Sequence, residues 1–243
     1  MRYLSLARAV FELILVITTI VLAVRLWETE APKRGSVIFS VPVRQKVVAL
    51  TFDDGPHPTF TPEILAVLDK YHVKATFFMI GERMQQYPQI VKQVLARGHT
   101  IGNHTYTHPH NIEAERPAQI IRELDMCEQV IERMTGKRAC LFRPPLGLVN
   151  GTVVTIAEEE GYRTILWTVS ADHHDAPTPR AMAERVLKRV RPGAIILAHD
   201  GTFKSRWKDV AALPLIIEAL RKQGYKFVTV PELLELGTSR RHR

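Results

Sequence analysis

Four short segments of the chain end an apolar run in side chains able to do chemistry. The first is Thr51-Phe52-Asp53-Asp54-Gly55-Pro56, where two adjacent carboxylates precede a Gly-Pro turn. Like charges on neighbouring acids disfavour ionising both unless a cation lies close. The pair therefore points to divided labour, one carboxylate on a metal and the other free as a base. Taken alone, a solvated Asp-Gly turn also accounts for it. The second is Gly102-Asn103-His104-Thr105-Tyr106-Thr107-His108. Histidines at i and i+4 share a face of a helical turn and can chelate one cation. With Asp54 they form the two-histidine, one-carboxylate set that leaves positions open on a catalytic metal. His110 is one residue too many for that set and is expected at the surface or behind the ligands.

The third segment, Leu141-Phe142-Arg143-Pro144-Pro145-Leu146-Gly147, uses consecutive prolines to fix a loop that aims one guanidinium and a backbone N–H. The fourth, Ile195-Ile196-Leu197-Ala198-His199-Asp200-Gly201, ends in a histidine, the side chain suited to proton transfer near neutral pH. A structural turn and a satisfied core histidine are the simpler readings of these two. Together the four ends supply base, metal ligands, cation and acid.

The elements that must position these residues alternate. Apolar runs at 46–52, 75–80, 162–169 and 194–197 read as strands buried on both faces. A helix opens at Thr61-Pro62-Glu63 with an N-cap and a first-turn proline. Others run 88–97, 117–135 and 209–223, stopping at Gly98, Gly136 and Gly224. Alternating strand and helix imply a parallel sheet. Both a closed or partly closed (β/α) barrel and an open doubly wound sheet fit, and both place the site at the C-terminal ends of strands.

With 243 residues and no second composition block, one catalytic domain is expected. Its 33 Lys and Arg exceed 25 Asp and Glu, a formal charge of +8 that suits acidic wall polymers or anionic lipid. The basic residues are scattered without interleaved aromatics, which argues against nucleic acid. Arg2 and Arg8 precede an apolar run from Leu13 to Val24, and the nearest cleavage pattern is followed by Pro32. These features predict a signal anchor over 1–30 with its positive end inside, then a linker over 31–45. The catalytic domain would span 46–236, outside the cytoplasmic membrane, and a basic tail 237–243. Secretion after cleavage is the alternative. Cys127 and Cys140 either pair in an oxidising compartment or are both small buried hydrophobes.

In this combination and order the motifs resemble the polysaccharide deacetylase family, carbohydrate esterase family four. The resemblance implies a distorted (β/α) barrel and one divalent ion, zinc first, with cobalt, nickel, manganese or iron also suited. It implies Asp53 as general base, Asp54, His104 and His108 as ligands, Arg143 orienting Asp53, and His199 as general acid acting in its protonated form. Pro145, Leu146, Leu197 and Trp167 would border substrate, with Leu197 beside the acetyl methyl. Two departures stand out. Leu146 replaces a tyrosine common after the prolines. Beyond Trp167-Thr168-Val169, the sequence Ser170-Ala171-Asp172-His173-His174-Asp175-Ala176 replaces the usual aspartate pair ending in tryptophan, leaving Asp172 or Asp175 as the partner that tunes the acid. The implied activity is N-deacetylation of peptidoglycan or chitin-type N-acetylglucosamine polymers by a monomer. An O-acetyl esterase acting on xylan, a glycan-binding pseudoenzyme and a metal-binding or storage module are the rivals.

Overall fold

A computed structural model describes residues 37–172, 176–201 and 203–238. The expected anchor at 1–30, the start of the linker, Asp175 and the last basic residues lie outside the described residues. No helix among the described residues is long and apolar enough to cross a membrane.

Among the described residues nine strands form one sheet: β1 (Val37–Ile38), β2 (Val47–Gly55), β3 (Thr76–Met79), β4 (Thr100–Asn103), β5 (Leu141–Phe142), β6 (Arg163–Ile165), β7 (Val169–Ser170), β8 (Ala194–His199) and β9 (Lys226–Val228). Between them lie α1 (Phe60–Lys70), α2 (Gly81–Gln86), α3 (Pro88–Ala96), α4 (Pro117–Thr135), α5 (Gly151–Glu159), α6 (Pro179–Arg189), α7 (Trp207–Lys222) and α8 (Val230–Thr238). Every ladder is parallel, in the order β1-β6-β5-β4-β3-β2-β8-β7, with β9 also on β2. The sheet curves as a half-barrel. No ladder joins β1 to β7, but Ser40 bridges to Ala194 and Val41 N–H donates to Gly193 O, drawing the chain after β1 onto β8.

The period of two along a strand explains why the runs are apolar on both faces. On β2, Val48, Leu50 and Phe52 pack outward with Ile64, Leu65 and Leu68 of α1. Ala49 points inward, onto a cluster that holds Phe78, Ile165 and Ile195. Further along the inward face the types change to Thr51 and Asp53, both buried. Val230, Leu233 and Leu234 of α8 join the inner cluster with Val41, Val43 and Val47, so apolar packing fills the N-terminal end of the strands. Burying each such side chain is worth about 1.5–3 kcal/mol. The C-terminal end is left to polar groups.

Several sequence expectations hold. Gly98, Gly136 and Gly224 end their helices, all at positive φ. Others need correction. The run 162–169 is two strands, because the chain crosses from β5 and β1 on one side to β8 on the other. The N-cap of α1 falls at Thr59, without a side-chain capping bond. Thr61 is instead occupied, accepting the His57 N–H at 2.8 Å and donating to Asp200 Oδ2 at 2.6 Å. Strand β1 lies inside the stretch expected to be linker, because its register with β6 adds an edge to the sheet. The cysteines are unpaired, and only Cys127 is buried; Cys140 is exposed, so neither expected arrangement occurs.

Candidate active site

Four strand ends converge at the C-terminal rim. On β2, Asp53 pairs with Phe78 of β3 and Gly55 with Met79, so Asp54 is skipped as a bulge with φ 72°. Neighbouring residues of a regular strand face opposite ways, and a bulge re-aims one of them. Here both carboxylates meet one imidazole: His104 Nε2 lies 4.0 Å from Asp53 Oδ2 and 3.4 Å from Asp54 Oδ1. The turn packs directly onto the end of β8. A Cβ on Gly55 would lie 2.3 Å from Asp200 Oδ2, and one on Gly201 2.1 Å from Asp54 O, so both positions require glycine.

His104 and His108 follow β4 in a turn that is not helical, with Thr105 at φ 64° and His108 at φ 61°. The i, i+4 spacing brings the two imidazoles together by a different route from the one expected. His108 Nε2 lies 3.3 Å from Asp54 Oδ1, and the ligand atoms of Asp54, His104 and His108 all lie within 4.8 Å of one another. Two atoms each about 2.1 Å from one tetrahedral ion sit roughly 3.4 Å apart, so this donor set fits a divalent cation such as zinc. His104 Nδ1 is 2.7 Å from the Arg143 carbonyl, which places its hydrogen there and leaves Nε2 as the coordinating lone pair. Burial opposes charge on His104, yet Asp53 and Asp54 beside it raise its pKa; a pocket that attracts a proton there also attracts a cation. Burial likewise opposes ionising Asp54, but the His104 and His108 imidazoles against it hold its carboxyl well below the usual range. His110 is exposed and meets His108 edge-on, at 5.8 Å between rings.

Arg143 is wholly buried, and four of its five side-chain N–H groups donate. Nη1 donates to Asp53 Oδ1 at 2.6 Å and Thr51 Oγ1 at 2.8 Å, Nε to Ile165 O at 3.0 Å, and Nη2 to Leu166 O at 3.1 Å. Phe78 lies below it at 4.1 Å, and the Trp167 ring is 5.7 Å away. Trp167 thus roofs the arginine and packs on Gly147. Pro145 is buried and fixes the turn, whereas Leu146 is 58% exposed at φ 56°. Its N–H donates to no backbone acceptor among the described residues. Leu197 lies on β8 paired with Thr51, two residues short of His199 and 4% exposed.

His199 pairs with Asp53 across the sheet. Its Nδ1 is 3.2 Å from Asp172 Oδ2, within ion-pair range though off the line of a hydrogen bond. Asp172, one of the two acids expected to tune it, is so placed; Asp175 lies outside the described residues. Burial pushes the His199 pKa down, and Arg206 adds to this, to about 4. This favours the neutral imidazole before reaction, so the proton His199 would deliver as a general acid has to be taken up during the cycle.

Sequence reasoning missed Arg206, Asp209 and Asp200 as parts of this site. Arg206 is 2% exposed; its Nη1 lies 3.2 Å from Asp172 Oδ2 and 3.7 Å from Asp209 Oδ2, and Nη2 3.7 Å from Asp54 Oδ2. Asp209 Oδ1 accepts the His199 N–H at 3.1 Å. Burial raises the carboxyls of Asp209 and Asp200 to about 7 each. Asp200 directly follows His199, and a second acid at a buried strand end was the available signal. Arg206 precedes the expected helix 209–223 and Asp209 opens it, a place where an acid is ordinary and marks no site.

Known proteins show the same arrangement of sequence and fold. The polysaccharide deacetylase family profile matches residues 40–165. A peptidoglycan-N-acetylglucosamine deacetylase of Bacillus cereus is 44% identical over 209 residues, covering 84% of this chain and 96% of that one. A chitooligosaccharide deacetylase of Sinorhizobium fredii is 37% identical over 196 residues, covering 76% and 90%. The crystal structure of the Bc1960 peptidoglycan N-acetylglucosamine deacetylase, in complex with a naphthalenyl N-oxidanyl-benzamide, superposes with a TM-score of 0.79 at 34% identity, covering 83% of this chain and 94% of that one. The strand-end motifs, the parallel half-barrel and these matches together establish that the chain belongs to the polysaccharide deacetylase family.

Proposed function

We propose that this protein removes N-acetyl groups from N-acetylglucosamine-containing glycan of the cell wall, using one divalent ion, zinc foremost. The observation that carries the reading is the pairing of roles on β2: Asp53 is locked to Arg143 while the adjacent Asp54 turns to His104 and His108. A pseudoenzyme or a storage module would have no use for a separate base, its buried arginine and a strand-end histidine together. The named relatives act on glycan amides, which favours the amide over the xylan-ester alternative.

Lewis acidity is the chemistry a divalent ion supplies in such a site, polarising a carbonyl and acidifying water. Asp53 takes the proton of the attacking water through Oδ2, because Oδ1 is held by Arg143. The exposed Leu146 turn offers its N–H to the oxygen that gains charge. Asp172 favours a hydrogen on His199 Nδ1, leaving Nε2 as a lone pair. His199 therefore enters the cycle neutral, receives at Nε2 the proton that Asp53 drew from water, and passes it to the departing sugar nitrogen as the bond from that nitrogen to the acetyl carbon breaks. The basic net charge suits an acidic wall polymer. The apolar N-terminal run supports placement at the outer face of the cytoplasmic membrane, with the protein acting as a monomer.

The test is acetate release from N-acetylglucosamine oligomers and from peptidoglycan, with chelated and metal-restored protein side by side and acetylated xylan as the ester control. Release that disappears on chelation and returns with zinc supports the proposal. Stoichiometric bound metal without release from any glycan would sink it.

A further inference from the structure

The turn that presents the two ligand histidines is held by a carboxylate outside the ligand set. Glu123 projects from α4, and its Oε2 accepts the N–H of Tyr106 at 2.9 Å and of Thr107 at 2.8 Å. Its Oε1 accepts the Thr107 hydroxyl at 2.8 Å. One anion thus gathers three donors from the residues lying between His104 and His108. On the other side of the turn, Asn103 Oδ1 accepts the Thr105 N–H at 2.9 Å, and Thr105 Oγ1 accepts the His108 N–H at 3.1 Å.

This clamping has something to oppose. Thr105 and His108 are both non-glycine residues at positive φ. Each such residue is strained and persists only where its surroundings over-determine it. Thr105 is also β-branched, for which this conformation is especially unfavourable. Three hydrogen bonds to one carboxylate oppose that strain directly, because each donor lies within the strained turn. Without them the turn would relax and carry the His108 ring away from Asp54, since no other side-chain bond to Tyr106 N–H or Thr107 N–H exists among the described residues.

We propose that Glu123 is a positioning residue that sets the metal affinity of the Asp54, His104 and His108 site by holding the 104–108 turn in its ligand-presenting shape. This rests on the reading of that triad as a metal site. The experiment uses the full chain, stripped of metal, as wild type, Glu123→Ala and Glu123→Gln. Zinc dissociation constants are measured by competition with a chromophoric chelator, alongside cobalt absorption spectra and melting temperatures of the metal-free proteins. Loss of a group that orients ligands typically costs 10- to 100-fold in affinity. Glu123→Ala is expected in that range with an altered cobalt spectrum, and Glu123→Gln, which keeps one acceptor oxygen and the same bulk, is expected to lose less. Should Glu123→Ala not fold, a weakened affinity in Glu123→Gln carries the proposal. Zinc affinities within twofold of wild type in every variant that folds, with only the melting temperature lowered, would show a merely structural role and overturn it. A wild type that binds no zinc would remove the metal-site reading itself, an outcome distinct from the first.

Discussion

Asp200 offers a quantitative check on the electrostatics beneath the site. Its carboxyl is fully buried, and burial, with Asp54 and Asp53 nearby, lifts it from 3.8 to about 7. The shift is about three units at about 1.36 kcal/mol each, so ionising Asp200 in the folded protein costs about 4 kcal/mol relative to the unfolded chain. A carboxyl whose folded pKa is raised contributes its full stability below the unfolded value, and that contribution is lost as pH rises through the folded value. About 1.6 kcal/mol is already gone by pH 5, and a further 2–3 kcal/mol disappears by pH 8. Asp200→Asn has the same shape and carries no charge, and its amide oxygen can accept the Thr61 hydroxyl that Oδ2 now accepts. Urea unfolding of the chelated protein, followed by tryptophan fluorescence, should therefore show the variant gaining about 2–3 kcal/mol over wild type between pH 5 and pH 8. Asp209, also near 7, is present in both proteins and drops out of the difference. A gain that is the same at both pH values would refute the reasoning, since it would mean Asp200 is ionised in the fold throughout.

Two further substitutions separate chemistry from binding. Asp53→Asn should lower kcat for acetate release by about 10²–10⁴-fold even at saturating zinc, because Asp53 lies outside the ligand set though its charge faces it; a loss below tenfold would remove it as the base. Leu146→Gly should leave unfolding free energy within about 0.5 kcal/mol, relief of the left-handed conformation offsetting the added chain entropy. It should raise KM for glycan oligomers, and an unchanged KM would show that the exposed leucine does not touch substrate.

The site was legible wherever its residue types are uncommon at the end of an apolar run. Asp53 and Asp54, the spaced histidines, the proline-pinned Arg143 and the strand-end His199 each stand out because burying such groups without partners is costly. What the sequence could not supply was the backbone that aims them. The bulge at Asp54 depends on the register between β2 and β3, and the left-handed turn at Thr105 depends on Glu123 arriving from α4. Glu123 reads in sequence as one acid among many on an amphipathic helix. Only the docking of α4 against β4 gives it three donors from the histidine turn.

The proton affinity of His199 depends on groups that its own motif does not contain. A histidine at a strand end suggests a group poised near its ordinary pKa, ready to act as an acid at neutral pH. The fold encloses it instead and brings Arg206 from the loop after β8, and burial together with that guanidinium favours the neutral ring. The same arginine reaches Asp172, Asp209 and Asp54, so one positive charge is shared among the acids facing the site. Metal-ligand identity follows from residue type and spacing, which the chain carries locally. Proton affinity follows from which distant charges the fold encloses together, and the three carboxylates that meet Arg206 come from β2, the end of β7 and α7.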